Sequence, residues 1–393
     1  MNIKNNYNHT IYASYLGYIT QAIVNNFAPL LFLTFQSTYD ITLDKIALLV
    51  TMNFSVQLLV DFICAKVVDK IGYKKCIVLA HILSALGLSG LAVLPEMFGY
   101  KGILLSVFVY AAGGGIIEVL VSPIVEACPT ENKSAVMSLL HSFYCWGYVF
   151  VVVASTAFFT VFGIEKWKVL SVMWSIIPLF NAFYFAIVPI QTLNQKEEEI
   201  SLKELFSLKI FWLFAVIMIC AGASEQAVSQ WASAFAELGL GVSKTSGDLL
   251  GPCLFAVLMG ISRVFYAKYS QKMDLEKFML GSTVLCVMSY ICIAFSPVNI
   301  LSLIGCGICG FSVGIMWPGT FSLASKKCAG GGTAMFALLA LAGDLGCSGG
   351  PTLVGFVSKQ FSNNLKAGII SAVIFPIVLL IGLLVLKVTD IKK

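Results

Sequence analysis

Long apolar runs follow one another along almost the whole chain, each close to the roughly 20 residues a helix needs to cross a bilayer. Spans fall near 12–36, 45–68, 76–95, 103–125, 135–162 and 169–190, and again near 210–236, 249–270, 278–296, 300–325, 334–358 and 367–388. Apolar residues make up 59% of the 393 residues and charged residues only 11%. That is too little charge to cover a water-soluble surface, so the expected class is a polytopic all-α membrane protein. Twelve spans leave no room for a separate soluble domain.

The remaining charge excludes other classes. A formal charge of +5 is spread over the loops with no basic run, which argues against nucleic acid. The 12 cysteines are scattered through apolar segments and read as small buried hydrophobes, so neither disulfides nor a metal are expected. Gly330-Gly331-Gly332 lacks the G-K-[ST] of a phosphate loop, and no cofactor or covalent chemistry is implied. The polar start MNIKNNYNHT leads into a span too long for a cleavable signal. Most lysines, among them Lys66, Lys70, Lys74, Lys75, Lys203, Lys209, Lys268 and Lys272, lie on one side if the N-terminus is cytoplasmic. The positive-inside rule then puts both termini in the cytoplasm. Loops this short fit a bacterial plasma membrane.

The polar stretch 191–209 divides the chain into an N-terminal six-helix half, 1–190, and a C-terminal six-helix half, 210–393. Within it Leu202, Leu205, Phe206 and Ile210 recur at helical spacing, which predicts a short interfacial helix. The halves also resemble each other. Lys66 aligns with Lys268, Lys70 with Lys272 and Lys75 with Lys277, each at the inner end of its half's second span. Such repeats predict pseudo-symmetric halves with a solute site near the membrane midplane.

Several motifs carry a family resemblance. Ala65 to Lys75, AKVVDKIGYKK, resembles the loop signature of the major facilitator superfamily, G-x-x-x-D-R/K-x-G-R/K-K/R, through Asp69, Lys70, Gly72, Lys74 and Lys75. Ala65 replaces its first glycine and Tyr73 one of its bases. Within that superfamily the chain is similar to the fucose–proton symporter family. Asn25-Asn26 stand before a stretch ending in Phe35-Gln36, and GIIEVLVSP from Gly115 matches G-x-x-E-x-x-x-[NS]-P. Leu139 to Phe143 followed by Gly147, and GFSVGIMWPGTFSLA from Gly310, match its fifth and tenth spans. Pro29 stands where some members carry an acid, and His141 where an amide is common. The resemblance implies a major facilitator fold, a monomer, and a proton-coupling role for Glu118.

The residues themselves point the same way. An ionisable group in hydrocarbon is costly and usually faces a partner or a wet cavity. Glu118 in span four can therefore cycle between charged and protonated forms, or serve as a structural acid. His141 enters span five at similar depth and can meet Glu118 or a solute hydroxyl, or simply pack. Glu225 in span seven is a second acid or part of a gate. Gln21, Asn25 and Asn26 in span one, Gln57 in span two, and Gln226 and Gln230 in span seven offer amides that both donate and accept, suited to a hydroxyl-rich solute. Interhelical bonding uses the same residue types. Trp146, Trp231 and Trp317 can stack on a sugar face, although single tryptophans are also routine membrane residues. In span two, Asn53, Gln57 and Asp61 line one face. Asp61, Asp344 and the lone Arg263, with Asp69 in the loop, form a candidate gating network, or a static buried pair.

The reading is secondary active transport, most simply proton symport of a small polyhydroxylated solute such as a monosaccharide. Proton-linked drug or metabolite efflux, sodium-coupled symport, and a membrane sensor or lipid-handling protein on the same scaffold are the alternatives.

Overall fold

A computed structural model describes residues 3–129, 133–191, 202–269, 272–328 and 332–391. Among the described residues, eleven helical segments are long and apolar enough to cross a membrane. A twelfth, the 29-residue helix Gly332–Gln360, stands where the eleventh span is expected. The helices are α1 Tyr7–Asn26, α2 Leu43–Ile71, α3 Tyr73–Phe98, α4 Tyr100–Ala127, α5 Lys133–Phe162 and α6 Trp167–Ile187. After them come α7 Lys209–Ser229, α8 Leu254–Tyr269, α9 Leu275–Phe295, α10 Asn299–Val313, α11 Gly332–Gln360 and α12 Ile374–Ile391.

The chain forms two compact units, one of Met1–Ile41 and Met52–Gln195, the other of Thr42–Thr51 and Lys196–Lys393. In the first, α3 packs on α4 and α6, and α1 packs on α4 and α5. The α3–α4 contact is close because a side chain at Gly113 would strike the Ala80 carbonyl and Ser84. The α2–α3 reversal turns on Gly72, whose φ of 95° is open only to a residue without a Cβ clash. In the second unit α7 packs on α11, α9 on α10, and α8 on α10. The first turns of α2 belong here: Lys359 pairs with Asp44 at 2.8 Å.

Polarity is distributed as a bilayer requires. Leu79, Leu86, Val93 and Met97 form an exposed apolar stripe along α3. Meanwhile Thr10, Ser14, Gln21, Asn25, Asn53, Gln57 and His81 are buried. Apolar outside and polar inside suits lipid as the solvent, where each helix satisfies its backbone groups internally. Among the described residues no cysteine is in a disulfide, and the C-x-x-C pair Cys306 and Cys309 is buried in α10.

Several spans read as continuous are interrupted. Beyond Ser229, α7 gives way to a short helix Ala232–Ala234 and a wide turn of π type at Phe235–Gly239. The tenth span breaks at Gly314 and resumes as Met316–Lys327. Pro318 has no N–H to offer the carbonyl four residues earlier, which is that of Gly314. The first span likewise passes through a 3₁₀ turn, Ala28–Leu31, containing Pro29, before Phe32–Tyr39. Of the linker, the helix Leu202–Ser207 is described; residues 192–201 lie outside the described residues, as do 330–331 and the side chain of Asp69.

Candidate functional site

Three helices of the first unit bring their polar side chains together. Helical spacing stacks Gln21 below Asn25 on α1, and Asn53, Gln57 and Asp61 along α2. Opposite them α4 presents Gly114, Gly115 and Glu118. A Cβ on Gly114 would lie 2.9 Å from Gln21 Oε1, and one on Gly115 3.0 Å from Gln57 Cα. The glycine run therefore lets α4 come close enough for its acid to meet the amides.

The meeting is a chain of hydrogen bonds. Gln21 Nε2 donates to Glu118 Oε2 at 2.9 Å and to Gln57 Oε1 at 2.9 Å. Gln57 Nε2 donates to Asn25 Oδ1 at 2.8 Å, and Asn53 Nδ2 donates to the same oxygen at 3.0 Å. Each of these four amides is more than nine-tenths buried. Asp61 is near enough for its charge to act on Glu118. Gln21 Oε1 and Asn53 Oδ1 are buried acceptors with no donor among the described residues.

His141 is exposed at its ring, and it reaches the acid's helix indirectly: its Nδ1 lies 3.4 Å from Tyr18 Oη, which lies 3.1 Å from Ser122 Oγ. Tyr18 had no signal in the sequence beyond lying one turn before Gln21. Asn26 turns from the chain and donates to the Ala22 carbonyl at 2.9 Å, with Tyr144 Oη at 3.5 Å. Trp146 is 46% exposed. A second polar knot escaped the sequence entirely. Asn181 Nδ2 donates to His81 Nε2 at 2.8 Å and to the Ala13 carbonyl at 3.0 Å, while His81 Nδ1 donates to the Ile77 carbonyl at 2.8 Å. With one nitrogen donating and the other accepting, this imidazole is neutral.

In the second unit Gln226 Nε2 donates to Glu225 Oε1 at 3.1 Å, and Gln230 Nε2 to Gln226 Oε1 at 2.9 Å. Trp231 is fully buried, its N–H donating to the Pro351 carbonyl at 3.0 Å. Trp317 is half-buried beside Phe321 and against Gly343. Arg263 Nε donates at 3.2 Å to the Gly314 carbonyl, the one that Pro318 leaves without a helical donor, and its charge acts on Glu225. Asp344 is buried in α11. The Gly314 carbonyl is thus among the partners of Arg263, one that residue spacing alone did not suggest.

Among the described residues, helices with acids and amides inside and apolar stripes outside are those of a multi-pass membrane protein. The sequence pattern of the Major Facilitator Superfamily matches residues 14–351, and the chain belongs to that family. No curated protein sequence matches it. Among solved structures, the Escherichia coli fucose:proton symporter FucP is similar with a TM-score of 0.65 at 19% identity, covering 95% of this chain and 97% of that one. A bacterial homologue of the human lysosomal transporter Spinster gives 0.79 at 13% identity over 99% and 98%. The nucleoside transporter NupG gives 0.75 at 12% identity over 98% and 99%. At these identities the likeness concerns the fold.

Proposed function

We propose that the chain is a proton-coupled symporter of a small polyhydroxylated solute, working by alternating access, with Glu118 as the coupling acid. The observation that carries this reading is a carboxylate deep in a membrane helix, held by Gln21 at the end of a buried amide chain. A fixed structural acid is normally matched by a base. Glu118 instead accepts from an amide and lies within range of the charge of a second acid, Asp61, which suits a group that gains and loses a proton. The amides favour a ligand rich in hydroxyls over a lipophilic cation. Fucose and nucleosides, the solutes of FucP and NupG, are both of that kind. Protonation of Glu118 from outside precedes solute binding, and release of both on the inner side resets the carrier.

The test is uptake into proteoliposomes of labelled monosaccharides and nucleosides under an imposed proton gradient or an imposed sodium gradient. Accumulation driven by the proton gradient alone is expected. Accumulation driven only by sodium, or competition by lipophilic cations but not sugars, would replace this reading with one of its rivals.

A further inference from the structure

The five side chains from Glu118 to Asn53 make a hydrogen-bonded chain whose polarity is fixed at one end by a carboxylate. Glu118, when ionised, can only accept, so Gln21 must turn its nitrogen toward it. That same nitrogen faces Gln57, so Gln57 must present oxygen there and nitrogen to Asn25. Asn25 must then present oxygen, which also takes the hydrogen of Asn53. Every orientation in the chain follows from the charge on Glu118.

We infer that protonating Glu118 reverses this chain by amide flips, so that Asn53 is the residue at which the proton's presence is reported to the solute. A protonated Glu118 donates its new O–H to Gln21, which must turn its oxygen inward to accept. Gln57 then donates to Gln21 Oε1, and Asn25, flipped, donates from Nδ2 to both Gln57 Oε1 and Asn53 Oδ1. All four hydrogen bonds survive with their directions exchanged. The proton stays on Glu118, and nothing else is transferred; each amide makes a half-turn about its terminal torsion, the softest in these side chains.

What changes is the free end. With Glu118 ionised, Asn53 holds out a buried oxygen that lacks a donor among the described residues. With Glu118 protonated, it holds out an N–H. Leaving either unmet in a membrane interior is costly, so the preferred solute group at Asn53 changes from donor to acceptor. The inference rests on Glu118 carrying the coupling proton, and it adds a rule of specificity. A symporter binds its solute in the protonated state, so the solute offers Asn53 an acceptor such as a ring, hydroxyl or carbonyl oxygen. A solute with only donors, such as an ammonium, would be driven out by the same proton.

The groups able to perturb Glu118 from the helices around it are Asp61 on α2, His81 on α3, which approaches α1 at Gly17, and His141 on α5 through Tyr18 and Ser122. None stands between Glu118 and Asn53 in the chain of bonds. Gln57 and Asn25 are thus positioning residues that act on the solute through Asn53, and their test needs a readout other than transport.

The experiment is infrared difference spectroscopy of the full chain in lipid, acid minus neutral, with ¹³C in the side-chain carbonyl of asparagine or of glutamine. The wild type should show a protonated carboxyl band together with shifts in both labelled amide bands. Glu118→Gln should lose all three. Gln57→Leu should keep the carboxyl band and lose the asparagine shift, because Asn25 and Asn53 lie beyond the break. A wild-type carboxyl band with an unmoved asparagine band overturns the relay without any variant, as does an asparagine shift that survives Gln57→Leu. Proteoliposomes that show the relay but no proton-driven flux would instead reject symport and leave the relay standing.

Discussion

Gln21 holds Glu118 across the α1–α4 contact, its amide nitrogen 2.9 Å from the carboxylate. The bond exists because Gly114 leaves room for the rest of the Gln21 side chain, whose oxygen sits where a Cβ would crowd it. Packing and chemistry meet at that glycine.

Gly114→Ala is therefore expected to act on the site more than on the fold. The added methyl presses on a side-chain end, whereas Gly113→Ala presses on the backbone of Ala80 and Ser84. Overpacking of the second kind costs about 1–3 kcal/mol. Melting in detergent should fall clearly for Gly113→Ala and little for Gly114→Ala, while solute affinity falls for Gly114→Ala. Equal melting losses would show that the two contacts are equally rigid.

Asn181→Leu should destabilise the first unit without altering proton coupling. It leaves His81 Nε2 and the Ala13 carbonyl buried without their donor, at about 1–3 kcal/mol for such groups. Reduced thermal stability with an unchanged proton-to-solute ratio is the expected pair of results. A changed ratio would draw His81 into the coupling chain.

Asp274 caps α9, its carboxylate accepting the Lys277 N–H at 3.0 Å. That bond holds its pKa below the usual carboxylate range. A depressed folded pKa contributes stability above the unfolded value and loses it as pH falls through the folded one. Asp274→Ala should lower stability at neutral pH by about 0.5–2 kcal/mol, the usual worth of an N-cap. The difference from wild type should shrink in strong acid, where both lack the charged cap. Melting curves of the two proteins across pH would check this.

Much of the account was legible in residue order. Runs of apolar residues gave the spans, and Glu118 with Gln21, Asn25 and Gln57 stood out as polar groups in hydrocarbon. Their mutual bonds were not legible, because which residues face one another depends on how each helix is rotated against its neighbours. The His81–Asn181 pair was missed for that reason: nothing at either position in the sequence points to the other. The breaks near Ser229 and Gly314 were missed because hydropathy is continuous across them. At Gly314 the cue was Pro318, four residues on. Reading it would also have supplied the Gly314 carbonyl as an acceptor for Arg263, in addition to the carboxylates of Asp61 and Asp344 that residue types suggested.

The most direct test follows protons and solute in the same vesicles. Proteoliposomes containing a pH-sensitive dye are given the monosaccharide or nucleoside that the wild type takes up, and lumenal acidification is recorded beside exchange of the labelled solute. The wild type should acidify the lumen as solute enters. Glu118→Gln should still exchange labelled solute across the membrane but move no protons with it. Acidification by Glu118→Gln at the wild-type ratio would contradict the central claim, because the coupling proton would then be carried elsewhere.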